Sequence, residues 1–281
     1  MADEVKNSLF ICPVCALALT RAGRVYACAS GHSYDISSSG HVNLLTANKK
    51  NSKNPGDDKE MAQARRRFLS GGYYAPLREK LAEKCVELSP KEPVLIDSGC
   101  GEGYYTAGIC AALASAGKKA RVAGIDISKE CAKRAGKAAP DAEIAVASAF
   151  SLPIGGGSAD ILVNCFSPLC LEEFTRVLRP GGIFIYVVPG AEHLWSLKKV
   201  LYDEPYPNEE KLTPYEGFEY IGVESIDYVF TLPDKAAIAD LFGMTPYFWK
   251  TPRSGAERLK LLDTLDVEAS FRLHIFKKTA E

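Results

Sequence analysis

The sequence has no apolar run as long as the roughly twenty residues that a membrane span needs. Its first residues, MADEVKNSLF, lack the basic start and greasy stretch of an export signal, so the expected location is the cytoplasm. Excess charge is missing too. With 34 Lys and Arg against 35 Asp and Glu, the formal net charge is −1, so the chain as a whole has no attraction for nucleic acid. Binding of that kind has to come from a local patch. There is no internal repeat and no low-complexity tract. An even complement of cysteines is also lacking. Nine thiols without an export signal argue against a disulfide framework and for reduced cysteines, some of them bound to metal. Cys85, Cys110 and Cys131 fall in helical-looking stretches and read as small buried apolar residues.

What is present is enough for a full core. The 281 residues are 47% hydrophobic and 25% charged, which suits one large domain with a small appendage or two modest domains. Residues 46–59, ANKKNSKNPGDDKE, are polar and broken by Asn-Pro-Gly, as a mobile surface loop would be. EMAQARRRFLSGGYYAPLREKLAEKCVEL follows as two helices interrupted at Ser70-Gly71-Gly72. From Pro93 the pattern alternates. VLIDSG, ARVAGIDIS, EIAVASA, ADILVNCF and GIFIYVVP are strands, with YYTAGICAALASAG, KECAKRAGKAA and EEFTRVL as helices between them. This predicts an α/β fold with a mostly parallel sheet and helices on both faces. GFEYIGVESIDYVFTL and FRLHIFKK add two strands, expected as an antiparallel hairpin closing the sheet edge.

The stretch VLIDSGCGEGYYT sets Gly99, Gly101 and Gly103 directly after the first of these strands, preceded by Asp97. Glycines here let the backbone turn tightly and approach a ligand, at the strand ends where α/β folds hold cofactors. The spacing G-x-G-x-G departs from the dinucleotide pattern. Asp126 ends the second strand, where a carboxylate can accept both hydroxyls of a ribose, or cap the helix that starts near Ser128. With LRPGGIFIYVVP before and in the fifth strand, the region from about residue 90 onward resembles the class I S-adenosylmethionine-dependent methyltransferases. Such enzymes often place an Asp five residues before the Pro of a Leu-Pro pair to bond the adenine amine. Here Ser148 precedes Leu152-Pro153, so the adenine contacts fall to Ser148, Ala149 or the backbone.

Near the front, ICPVCALALTRAGRVYACASGHSYD carries Cys12 and Cys15, twelve intervening residues, then Cys28 and His32. Three thiolates and an imidazole close a tetrahedral zinc site. The other reading of C-x-x-C is a redox pair, but nothing before residue 36 resembles the fold that activates one. With every position filled by protein there is no room for a catalytic water, so the zinc is structural. A segment below about forty residues cannot bury enough surface to fold alone, and the metal supplies that stability.

A zinc module ahead of this fold, with HSYDISSSGHVNLL, NPGDDKEMAQARRRFLSGGYY, DSGCGEGYYT and PGAEHL, closely resembles the RlmA-type 23S rRNA guanine-N1-methyltransferases, essentially from end to end. The resemblance implies a Rossmann-like methyltransferase domain over residues 91–281, a zinc module over 1–35 and a basic helical linker over 36–90. It implies transfer of a methyl group from S-adenosylmethionine to N1 of one guanine in a 23S rRNA hairpin. It makes Cys12, Cys15, Cys28 and His32 the zinc ligands. It assigns Tyr74, Gly101, Glu102 and His193 to the methyl donor, beside Asp97, Gly99, Gly103, Asp126 and Ser148. Residues 41–84 hold ten Lys or Arg against five acidic residues, a local positive patch for RNA that includes Lys49, Lys50, Lys53 and the run Arg65-Arg66-Arg67. A homodimer is left open.

Methyl transfer from a sulfonium depends mostly on alignment. Guanine N1 must also lose a proton, at about 3 kcal/mol for a group roughly two units from neutrality. An acceptor for that proton, or donors to the guanine carbonyl oxygen, would lower this. The catalytic candidates are His193 and Asn164, with Ser167 nearby; Phe166 and Pro168 could stack on a guanine swung out of its loop. Three other readings remain. Cys165 and Cys170 near Pro168 suggest a pyrimidine C5-methyltransferase, though the order S-P-L-C is wrong for it. A small-molecule methyltransferase would leave the zinc module and basic insert unused. A non-catalytic zinc-containing RNA-binding protein would have no need of Asp97, the glycines and Asp126 together.

Overall fold

A computed structural model describes residues 6–46, 59–210 and 214–279. Residues 47–58, most of the expected loop at 46–59 and including Lys49, Lys50 and Lys53, lie outside the described residues.

The chain first forms a small antiparallel sheet in the order β1 (Lys6–Ile11), β2 (Ala18–Ala22), β3 (Val25–Ala27), β4 (Ser33–Asp35). It then gives β5 (His41–Asn43) and the helices α1 (Lys59–Ser70) and α2 (Ala75–Leu88). The alternating region follows as β6 (Val94–Ser98), α3 (Tyr104–Ser115), β7 (Arg121–Asp126), α4 (Lys129–Ala138), β8 (Glu143–Val146), β9 (Ala159–Cys165), α5 (Leu171–Val177) and β10 (Leu178–Pro189). The remainder is α6 (Trp195–Leu201), β11 (Phe218–Leu232), α7 (Lys235–Met244), α8 (Tyr247–Lys250), α9 (Arg253–Lys260) and β12 (Leu265–Lys278).

The main sheet has eight strands in the order β11-β12-β10-β9-β6-β7-β8-β5. From β5 to β10 neighbours run parallel; β12 is antiparallel to β10, and β11 to β12. The two tail strands pair as expected, but three helices stand between them in place of a tight turn. β12 enters the sheet interior and β11 takes the edge. At the other edge, His41–Asn43 pairs with Ile144–Val146, a strand too short for the sequence pattern to announce.

Side-chain alternation along the strands divides two apolar layers. Leu95, Val122, Ile161, Val163, Ile185 and Val187 face α2, α3, α6 and α7 in one layer. Ile96, Ala123, Ala145, Leu162 and Phe184 face the other way. On that second face α5 covers part of the sheet, and Phe10, Cys12, Leu19, Tyr26 and Cys28 of the small sheet cover much of the rest. The alanines at 123, 145, 147 and 159 are fully buried there, so a thin ribbon can lie close to the strands. Glu143 anchors it. Its carboxylate accepts from Ser8 Oγ, from the Leu9 N–H and from the Tyr26 hydroxyl, and ion-pairs with Arg121 at 3.2 Å. The Ile11 N–H donates to the Pro153 carbonyl at 2.9 Å. Among the described residues no helix is long and apolar enough to cross a membrane.

Candidate functional site

At the carboxyl ends of β6, β7 and β9 a cavity of about 770 Å³ opens, lined by Gly99, Gly101, Glu102, Asp126, Ser148 and Ser167 among others. The glycine loop builds its floor. Gly99 has φ +84°, and a Cβ there would lie 2.0 Å from Ser167 Oγ, so the loop can pass only as glycine. Gly103, at φ +83°, would meet Ala135 Cα at 2.8 Å and holds α3 against α4. Asp126 secures the loop from the neighbouring strand. Its Oδ2 accepts from the Gly101 N–H at 2.9 Å and its Oδ1 from the Ser128 N–H at 2.7 Å. The cap of α4 is Ser128, whose hydroxyl accepts from the Cys131 N–H. The Asp126 carboxylate lines the cavity at the end of β7, where an acceptor can take a ribose hydroxyl. The cavity thus offers backbone turns, a carboxylate and Ser148 in the places a nucleoside sulfonium needs, and the residues fit S-adenosylmethionine.

One expected donor contact lies elsewhere. Asp97 does not line the cavity. It is buried beneath the loop and accepts from the Thr106 hydroxyl at 2.6 Å, tying β6 to α3. Burial, helped by the nearby Asp126, pushes its carboxyl up to about 6 against the Thr106 hydrogen bond. Glu102 does line the cavity, with Arg134 3.6 Å from its Oε2. Burial raises its pKa, and Arg134 opposes the rise.

Tyr74 and His193 are 119 residues apart in sequence and meet at the cavity wall. The Ser270 N–H donates to His193 Nδ1 at 3.2 Å, which puts the ring proton on Nε2. Nε2 is 3.2 Å from the Tyr74 hydroxyl and donates to it. Burial, with Lys198 nearby, lowers the His193 pKa to about 3, so the ring is neutral. Both nitrogens are engaged, so His193 has no lone pair for the guanine proton. It is a donor that holds Tyr74, and burial keeps that phenol protonated. The hydroxyl proton of Tyr74 stays available to an acceptor in the cavity.

Asn164 does not reach the cavity. It is wholly buried, and its Nδ2 donates to the Pro168 carbonyl at 3.0 Å. On β9, Val163 and Cys165 face one layer, so Asn164 points to the other and braces the Ser167-Pro168 turn from behind. The turn it supports presents Phe166, with φ +54°, at the cavity mouth. Cys165 lines the cavity, but burial pushes its thiol far up, and Cys170 is raised to about 11. Burial thus disfavours the thiolate at both, and Cys170 is not among the cavity's lining residues, which speaks against the cysteine-nucleophile reading. Arg65 lines the cavity, whereas Arg67 is committed to Asp240 at 2.6 Å. Sequence reading missed Phe150 and the run Met244 to Tyr247, which also line it. Only the exposed aromatic after Ser148 carried a local signal.

The four metal candidates converge. The ligand atoms of Cys12, Cys15, Cys28 and His32 all lie within 4.8 Å of one another. Cys15 Sγ is 3.6 Å from Cys28 Sγ, and His32 Nδ1 is 3.4 Å from Cys28 Sγ and 3.6 Å from Cys12 Sγ. Zinc bonds of about 2.3 Å to sulfur and 2.0–2.1 Å to nitrogen make tetrahedron edges of roughly 3.5–3.8 Å, so the donor set fits zinc. Tyr34, two residues past His32, reaches Cys12 Sγ at 3.1 Å and supplies a hydrogen bond to the thiolate.

Comparison with known proteins agrees with both halves. A family model described as "RlmA, N-terminal" matches residues 10–53, and one described as "Methyltransferase domain" matches residues 96–186. A putative 23S rRNA (guanine-N(1)-)-methyltransferase of Bacillus subtilis, YxjB, is 34% identical over 279 residues, covering 95% of this chain and 96% of that protein. A putative 23S rRNA (guanine-N(1)-)-methyltransferase of Micromonospora griseorubida is 34% identical, with 93% and 95% covered. The 23S rRNA (guanine(748)-N(1))-methyltransferase of Streptomyces fradiae is 32% identical, with 85% of each covered.

Proposed function

Because the chain belongs to the family of 23S rRNA (guanine-N1)-methyltransferases, we propose that it methylates N1 of a guanine in 23S rRNA, taken from a hairpin. The observation that carries this is the pairing of a fitted Cys3His cluster, docked on the sheet, with a donor-sized cavity at the strand ends of the same sheet. A small-molecule enzyme has no use for the first, and a non-catalytic binder none for the second.

S-adenosylmethionine, when bound, supplies a sulfonium methyl open to in-line attack. Asp126 and the glycine loop hold its nucleoside and amino-acid parts, with Ser148 near the base. Asp97 and Asn164 act at one remove, keeping the loop and the Ser167-Pro168 turn in register. Guanine N1 becomes nucleophilic as its proton leaves, and negative charge then gathers on the carbonyl oxygen. The His193-to-Tyr74 relay is built to donate, so its contribution is to meet negative charge with the phenol proton. The proton itself passes to solvent or to the RNA. Phe166 at the mouth stacks on the extruded base. The zinc module, residues 1–35, and the basic region after it grip the hairpin by shape and backbone contacts.

N1 methylation removes a Watson–Crick donor. Primer extension on protein-free 23S rRNA treated with the enzyme and donor is expected to stop one nucleotide before a single guanine. Stops at a pyrimidine, or none, would overturn the proposal.

A further inference from the structure

Residues 233–264, between β11 and β12, are an insertion that the chemistry above does not use. They are nevertheless built into the site. α7 lies along α1, fixed by the Arg67–Asp240 ion pair at 2.6 Å, and Met244 to Tyr247 line the cavity. The two residues that follow leave the cavity wall and face solvent. Phe248 is 46% exposed and Trp249 is 67% exposed. Phe248 packs on Phe242 of α7 with ring centroids 5.5 Å apart, and Trp249 meets Phe248 edge-on at 5.0 Å. The indole is therefore held by a braced neighbour while most of its surface stays in water. Lys250 follows directly, and Arg253 begins the next helix with its side chain almost wholly exposed and its Nε 3.0 Å from Glu257.

Leaving that much aromatic surface wet is unfavourable unless something covers it. Two rings flanked by cations are far smaller than the roughly 800 Å² per partner of a stable protein interface. The indole does match the area of one nucleobase. The neighbouring cations suit phosphates, and the rings continue directly from residues that line the methylation cavity. Phe150 and Phe166, 68% and 47% exposed, stand elsewhere on the same mouth. We propose that Trp249, braced by Phe248, is a stacking platform for an RNA base flanking the methylated guanine. The insertion is then a substrate-reading element. This rests on the rRNA reading above.

The sequence has two tryptophans, Trp195 and Trp249, so Trp195→Phe leaves Trp249 as sole reporter. In that background, a 23S rRNA hairpin that the wild-type enzyme methylates is expected to quench the emission. Trp249→Ala should raise the KM for RNA about tenfold, the loss typical of one stacked base. Its kcat and its donor affinity by calorimetry should stay near wild type, and Trp249→Tyr should restore most of the KM. An unchanged KM in Trp249→Ala, with no quenching by an RNA the wild type does methylate, would sink the platform. So would a dimer of the wild type that light scattering shows dissolving in Trp249→Ala. Failure of the wild type to methylate any RNA would instead remove the rRNA reading, and the platform with it.

Discussion

At the scale of single residues, His193 shows how a side chain placed correctly by sequence can have a different chemistry in place. Its position at a strand end suggested contact with the donor and a possible proton acceptor; the Ser270 N–H on Nδ1 leaves it only able to give. The same burial has a cost on acidification. The folded protein keeps the ring neutral down to about 3, while the unfolded chain takes up a proton below about 6.5. Stability from this site is thus full above that upper value and falls as pH drops through the interval. At pH 5 the loss is about 2 kcal/mol relative to pH 7. His193→Gln removes the titration, so urea unfolding should show a smaller decline between pH 7 and pH 5 than in wild type. Equal declines would mean that the ring is hydrated. Asn164 was misplaced for a simpler reason. Alternation along β9 sends Val163 and Cys165 to the cavity side, and a residue between them has to face away.

At the scale of elements, the zinc ligands were legible because they lie within twenty-one residues and their spacing alone implies a closed site. What spacing could not reveal was where the ribbon sits. Phe10, Leu19 and Tyr26 share an apolar layer with Ile96, Ala123 and Leu162 of the main sheet. Losing the metal therefore affects more than residues 1–35. Without zinc the ribbon unravels, and the second face of the sheet loses its cover. Cys28→Ala, or a strong chelator, should lower the melting temperature of the whole molecule by on the order of ten degrees, for a loss of a few kcal/mol in a protein of this size. A change confined to the ribbon, with the main transition unmoved in calorimetry, would show that the two layers are independent.

For the whole molecule, the alternating strands and helices were enough to set the parallel sheet and its glycine loop. The architecture beyond that depends on contacts distant in sequence. β5 is three residues long, and only its partner at Ile144–Val146 makes it a strand. The helices α7 to α9 matter to the site because α7 meets α1, more than 160 residues earlier. Patterns local to a window cannot carry such pairings. Shared layers also predict cooperative unfolding. The zinc-loaded protein should melt in a single calorimetric transition, its calorimetric and van't Hoff enthalpies agreeing. Two resolved transitions would argue for separate folding units.

The pairing of β5 with β8 also sets an order of assembly. His41–Asn43 leaves the ribosome about a hundred residues ahead of the strand it must lie beside. At roughly 5–20 residues per second, that is a wait on the order of five to twenty seconds. For that interval the nascent ribbon has its metal ligands but neither the alanine-lined surface it will rest on nor Glu143 to anchor it. Zinc capture is then the earliest event that can hold the N-terminal segment in shape, and the ion serves as a placeholder until the sheet is made.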